Sequence, residues 1–167
     1  MTNPIPIKKD QSVSLMPLSK ARRFGTDGIR GPVDTTMNPL FVTKLGWAAG
    51  TILMEEGISR VLIGKDTRIS GYMLESALQA GFIASGIDVV LLGPLPTPGV
   101  SFLANSNKQA GVVISASHNL FEDNGIKFFN KDGQKFSSEL EKRIETKLSQ
   151  EIDSVKSINL GKATRMS

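Results

Sequence analysis

Short apolar runs that alternate with stretches of helical spacing narrow the fold of this chain more than any other feature. "RVLIG" (60–64), "IDVVLLG" (87–93) and "AGVVISA" (110–116) are apolar almost throughout, the signature of strands buried on both faces. "NPLFVTKLGWAAGTILMEEG" (38–57) reads as a helix between such runs. Asn38 can cap it, Pro39 suits its first turn, Gly57 can end it, and Val42, Leu45, Ala49, Ile52 and Leu53 share a core-facing side. "GYMLESALQAGFIASG" (71–86) reads as a second helix, with Met73, Ala77, Leu78 and Phe82 on one face. "PTPGVSFLANSN" (96–107) opens a short helix, and "GIKFF" (125–129) is a further strand. "SSELEKRIETKLSQEI" (137–152) closes the body as an amphipathic helix, capped by Ser137 or Ser138, with Leu140, Ile144, Leu148 and Ile152 inward.

This alternation predicts an α/β fold, a three-layer α/β/α arrangement around a mostly parallel mixed sheet. The 167 residues suit one domain with its own core. Residues 1–22 are expected to be a flexible basic tail, 23–152 the domain, and 153–167 a linker toward a second domain. Sheets of this kind bind ligands at the carboxyl ends of their strands. "GTDGIRG" (25–31), "GKDTRISG" (64–71) and "SASHN" (115–119) each follow a stretch with strand character, so the three are expected to meet at one edge. The first of them lies in "ARRFGTDGIRGPV" (21–33), read as a short extended start followed by a glycine loop.

Composition excludes several function classes. The chain has no cysteine, so thiol nucleophiles, disulfides and thiolate zinc sites are absent. No apolar run approaches the ~20 residues that cross a bilayer. No export signal is legible at the amino terminus, and a cytoplasmic location is expected. The net charge of +4 is concentrated in residues 1–23, where Lys8, Lys9, Lys20, Arg22 and Arg23 face Asp10 alone. The remainder is balanced, and aromatic residues are only 6%. That combination argues against a nucleic-acid surface, which gathers cations on one face with aromatics for stacking.

The single histidine, His118, stands directly after Ser117 at the end of an apolar strand. Sequence neighbours are poorly placed to form a Ser–His–Asp relay, and no G-x-S-x-G elbow is present. Two readings stay open from the residues alone. "SASHN" is either a polar turn with a satisfied histidine, or a loop whose serine carries a phosphoryl group. A phosphoserine needs cations and donors around it, and His118, Asn119 and Lys127 lie close in sequence, with Arg30 expected at the same edge. The glycines of "FGTDGIRG" would let backbone N–H groups approach an anion, and Arg30 can grip phosphate through two parallel hydrogen bonds. A tight turn accounts for those glycines equally well. In "GKDTRISG", Lys65, Arg68 and Ser70 could touch phosphate, but pairing of Asp66 with Arg68 is preferred. Lys127 interrupts an otherwise apolar strand, where a charge must find a partner or solvent.

"FGTDGIRG", "GKDTRISGYMLESAL", "GPLPTPGV" and "ISASHNLFEDNGIKFF", in that order, resemble the α-D-phosphohexomutase family, over roughly Phe24 to Arg165. They are most similar to the branch acting on glucosamine phosphates, with the mannose- and glucose-phosphate branches as alternatives, and a non-catalytic phosphosugar-binding remnant as the reading from another class. The resemblance implies interconversion of glucosamine 6-phosphate and glucosamine 1-phosphate through a bisphosphorylated sugar, on the way to peptidoglycan precursors. By the same resemblance Ser117 is the phosphoserine and a ligand of Mg²⁺ through its phosphate. Arg30 and Lys127 stabilise charge or carry protons beside it; His118 completes the catalytic group. Arg30, Gly31, Asn119 and Lys127 are implied to bind the substrate or its phosphate. A homodimer is compatible with the family.

Two departures stand out. Leu120 occupies the position after "SASHN" where the family commonly has proline. The motifs match only the first of four family domains, and the Asp-Gly-Asp-x-Asp loop that supplies Mg²⁺ carboxylates is missing. The chain alone is therefore expected to be inactive, with its partners the other three domains and a hexose or hexosamine phosphate.

Overall fold

The computed structural model describes residues 22–167. The expected basic tail falls on residues 1–22 and so lies almost wholly outside the described part. Six strands form one sheet: β1 (Ile29–Pro32), β2 (Arg60–Lys65), β3 (Asp88–Pro94), β4 (Ala110–Ile114), β5 (Asp123–Phe129) and β6 (Ala163–Arg165). Their order across the sheet is β1-β5-β4-β2-β3-β6. β4, β2, β3 and β6 run parallel, while β5 is antiparallel to both β4 and β1. The expected three-layer α/β/α fold with a mostly parallel mixed sheet is therefore observed, among the described residues, in a single domain.

Four helices cover the sheet: α1 (Pro39–Glu55), α2 (Ser70–Ser85), α3 (Thr97–Asn107) and α4 (Ser138–Leu148). α1, α2 and α4 share the larger core, where Val61, Ile63, Val112, Ile114, Ile126 and Phe128 meet Leu45, Leu78, Phe82 and Ile144. α3 lies on the opposite face, with buried Val100 and Ala104 against the glycines Gly64 and Gly111. α1 begins as its sequence dictates: Asn38 Oδ1 accepts from the Phe41 N–H at 2.9 Å, and proline follows it. α1 and α2 cross almost backbone to backbone. A Cβ on Gly81 would stand 2.0 Å from the Thr43 carbonyl oxygen, so only glycine permits this approach.

Several expectations are corrected. Met73 is partly exposed because the buried stripe of α2 runs through Leu74, Ala77, Leu78 and Phe82. Ile152 lies past the end of α4 and is also exposed. The first strand comes after the glycine loop, at Ile29–Pro32, since only there does the backbone reach the free edge of β5. Residues 153–167 carry structure of their own, a 3₁₀ turn at Ser157–Asn159 and then β6, which pairs in parallel with β3. The Trp47 Nε1–H donates to the Asp153 carbonyl, and the N–H groups of Val155 and Gly161 donate to the end of α2. Every β6 residue is exposed, so the strand has no apolar alternation by which to be read. Among the described residues no helix is long and apolar enough to cross a membrane.

Candidate active site

β4 ends at Ile114, and the chain turns out of the sheet through Ser115, Ala116 and Ser117. Ser117 adopts φ +52°, the left-handed region that costs a residue with a Cβ about 1–2 kcal/mol. The turn is held locally: Ser115 Oγ accepts from the Ser117 N–H at 3.1 Å, and the Asn119 N–H donates to the Ala116 carbonyl at 3.0 Å. The result presents Ser117, His118 and Asn119 to solvent at the end of a buried strand.

The strongest restraint comes from 49 residues upstream in the chain. Arg68 inserts its guanidinium under the loop. Nη2 donates to the Ser117 carbonyl at 3.0 Å and to the Asn119 carbonyl at 2.9 Å. Nη1 donates to the carbonyls of Leu120 and Asp123, and Nε pairs with Asp66 Oδ2 at 3.4 Å. Asp66 also accepts from the Arg68 N–H. All five guanidinium donors thus point at protein oxygens, and Arg68 has none left for a phosphate. The preferred pairing of Asp66 with Arg68 holds, but it is the smaller part of what Arg68 does. Ser70 is likewise committed, accepting from Asn124 Nδ2 at 2.9 Å. Lys65 is buried against Glu75 at 2.8 Å and lies over the Tyr72 ring. "GKDTRISG" is a buckle under the serine loop. Its sequence could not show this, because the loop carbonyls that Arg68 holds lie 49 to 55 residues away.

Arg30 arrives from the other side. It stands opposite Gly125 in the β1–β5 pairing, and the Ser115 N–H donates to the Gly125 carbonyl. Arg30 Nη1 contacts Asn119 Oδ1 at 3.4 Å, and Nη2 faces Asp27 at 3.7 Å. Arg30 Nε is buried with no hydrogen-bond partner among the described residues. Asn119 Nδ2 reaches Asp123 Oδ2 at 3.4 Å.

The structure thus brings Ser117, Asn119 and Arg30 together. His118 sits beside them, exposed, with no hydrogen bond to the described residues, so it supports no hydrolase relay with Ser117. Lys127 is half-buried opposite Val113, one strand pair deeper than Gly125. It lines a cleft of about 210 Å³ with Phe24, Thr26, Gly28 and Thr97, and its ammonium makes no hydrogen bond to the described residues. Gly31 pairs with Asn124 in the sheet, and a Cβ there would press on Thr36 at 2.8 Å. Its small size serves packing. Among the described residues no group of three His, Asp or Glu could hold a metal ion. One oxygen on Ser117 is far from the six ligands Mg²⁺ prefers, so these residues do not by themselves fit the metal.

A family model described as phosphoglucomutase/phosphomannomutase, alpha/beta/alpha domain I, matches residues 21–154. A curated protein named phosphoglucosamine mutase from Legionella pneumophila (strain Corby) is 57% identical over 151 residues, covering 89% of this chain and 33% of that protein. A protein of the same name from Pseudoalteromonas translucida (strain TAC 125) is also 57% identical, over 89% of this chain and 34% of its own length. The crystal structure of a putative phosphomannomutase from Thermus thermophilus superposes with a TM-score of 0.76 at 32% identity, over 89% of this chain and 34% of that one. The chain spans about a third of the length of the curated relatives it matches.

Proposed function

The chain belongs to the phosphoglucomutase/phosphomannomutase family, as its α/β/α domain I, and from that premise we propose that it is the phosphoserine-bearing part of a phosphoglucosamine mutase. The observation that carries this is Ser117: an exposed hydroxyl in a left-handed, tightly held turn, with Arg30 bridged to the same loop through Asn119. Phosphoryl transfer asks for in-line positioning and positive charge around the transferring group more than for a strong base. A rigid serine beside a guanidinium suits that demand.

In the proposed reaction a hydroxyl oxygen of the sugar phosphate bonds to the phosphorus on Ser117 as the bond to Oγ breaks. The proton of that hydroxyl is passed through a neighbouring side chain to the departing Ser117 Oγ, and the return step moves a proton the opposite way. The bisphosphorylated sugar then reorients, and Ser117 Oγ takes back the other phosphate. This splits an awkward migration into two ordinary transfers. Arg30 neutralises the phosphate, Asn119 orients Arg30, and Lys127 and His118 serve as proton carriers once the cleft is closed by the rest of the enzyme. Mg²⁺ would withdraw charge from the phosphate, held by Ser117's phosphate and by carboxylates outside this chain. The glucosamine reading is favoured over mannose or glucose by the identity of 57% to proteins of that name, against 32% to the putative phosphomannomutase. Such a reaction would feed peptidoglycan precursor synthesis in the cytoplasm.

The test is intact mass and phosphopeptide mapping of the polypeptide purified from its natural host, with turnover of glucosamine 6-phosphate, mannose 6-phosphate and glucose 6-phosphate. Phosphate on Ser117, loss of turnover in Ser117→Ala and preference for the glucosamine phosphate are expected. The 167 residues alone should be inactive. Retained turnover in Ser117→Ala would overturn the phosphoserine assignment, and a chain that never carries phosphate would leave a binding module.

A further inference from the structure

Among the described residues, Arg68 is the cation at the serine loop whose donors are all used within the protein. Its four terminal N–H groups converge on the carbonyls of Ser117, Asn119, Leu120 and Asp123. The loop's other restraints are fewer and act mostly at its ends: within residues 117–123 the backbone donates from Asn119 to Ala116, from Asp123 to Leu120 and from Ser117 to the Ser115 hydroxyl, the Val33 N–H donates to the Glu122 carbonyl at 3.0 Å, and the Asn119 side chain makes only long contacts of 3.4 Å with Arg30 and Asp123. Its apolar tip gives no anchor, because Leu120 and Phe121 are 74% and 72% exposed. A left-handed serine in so loose a segment would relax unless something over-determined it. A planar fork can satisfy four carbonyls at once, whereas an ammonium has three donors on a point charge.

We propose that Arg68 is a positioning residue for Ser117, one that never touches substrate and sets the direction in which the serine hydroxyl leaves the loop. The proposal rests on the reading of Ser117 as the phosphoryl carrier. Asp66 is its own support, fixing the guanidinium through Nε and the Arg68 N–H.

The first measurement needs only this chain. Amide hydrogen exchange in Arg68→Ala should speed up at Ser117, Asn119 and Asp123 by about tenfold or more, while β2 and β4 amides stay as protected as before. Added methylguanidinium should slow the loop amides again. Arg68→Lys should behave like the alanine variant, because charge without the fork does not reach four carbonyls. Unchanged loop exchange would overturn the proposal, as would an equal rise throughout the domain, which marks a fold role only. If Arg68→Ala does not fold, Arg68→Gln takes its place in the same comparison.

The second measurement uses the polypeptide with its remaining domains. A small displacement of a reacting group costs about 100-fold, so kcat should fall by about that factor with KM nearly unchanged, and methylguanidinium should restore part of it. Ser117→Ala separates the two ideas. If that variant keeps its turnover, the functional reading fails and the exchange data still decide on Arg68. If it is inactive while Arg68→Ala has full kcat, the positioning role fails alone.

Discussion

The side chain of Arg30 crosses the face of Gly125 so closely that a Cβ on Gly125 would stand 2.7 Å from Arg30 Cγ and 2.9 Å from the Ser115 carbonyl oxygen. Glycine at this position is therefore what lets a guanidinium reach the serine loop. Gly125→Ala must push either Arg30 or the backbone at Ser115, and overpacking of this kind costs about 1–3 kcal/mol. The expected outcome is a lower Tm together with loss of the Arg30–Asn119 contact in a crystal structure of the variant. An unshifted Arg30 would show that the backbone yields instead.

Asn124 joins the two loops from beneath. It is fully buried, donates to Ser70 Oγ at 2.9 Å and accepts from the Gly125 N–H at 2.8 Å. Asn124→Ala strands that N–H, and a buried donor without a partner costs about 1–3 kcal/mol. Ser70→Ala removes one bond and leaves the N–H satisfied, so it should cost less. Urea denaturation of both variants checks the order.

Lys65 and Glu75 form a buried pair with side chains only 6% and 9% exposed. Removing one partner leaves an uncompensated charge, so Lys65→Met should destabilise by about 3–5 kcal/mol. Replacing both, as Lys65→Met with Glu75→Leu, should recover much of the loss, since an apolar pair of similar volume avoids the desolvation. Glu75 Oε2 already lacks a hydrogen-bond partner among the described residues, which favours recovery. A double variant as weak as the sum of the single ones would show that the pair contributes net stability.

Glu141 supplies a pH dependence. Burial pushes its carboxyl above the usual value of 4.5, the salt bridge to Lys135 pulls the other way, and the charge of Glu145 adds to the rise. A carboxyl with a raised folded-state pKa binds more protons folded than unfolded, so stability falls as pH climbs through the usual value toward the raised one. Below that window the effect is absent. Glu141→Gln should flatten the decline in Tm across it, measured by thermal melts at a series of pH values. An identical slope in the two proteins would assign the decline to other groups.

The order of strands and helices was legible because it depends on local spacing: the apolar runs at 60–64 and 110–116, the Asn38 cap and the stripe through Val42, Leu45 and Ile52 each constrain a few consecutive residues. Ser117 and Arg30 stood out for a similar reason, since their chemistry is written in single short motifs. β6 was hidden because an edge strand with exposed side chains is held by backbone bonds to β3, which leave no trace in side-chain pattern. Arg68 was read only as a partner of Asp66 or of an anion, because the carbonyls it holds belong to a loop that only the β2–β4 pairing brings within reach. Sequence alone thus determined the α/β/α class and singled out the serine loop at the end of β4 as a candidate site. Tertiary structure decided how the cations around that loop are used, because pairing strands distant in sequence spends Arg68 on backbone carbonyls and brings Arg30 to the Asn119 side chain.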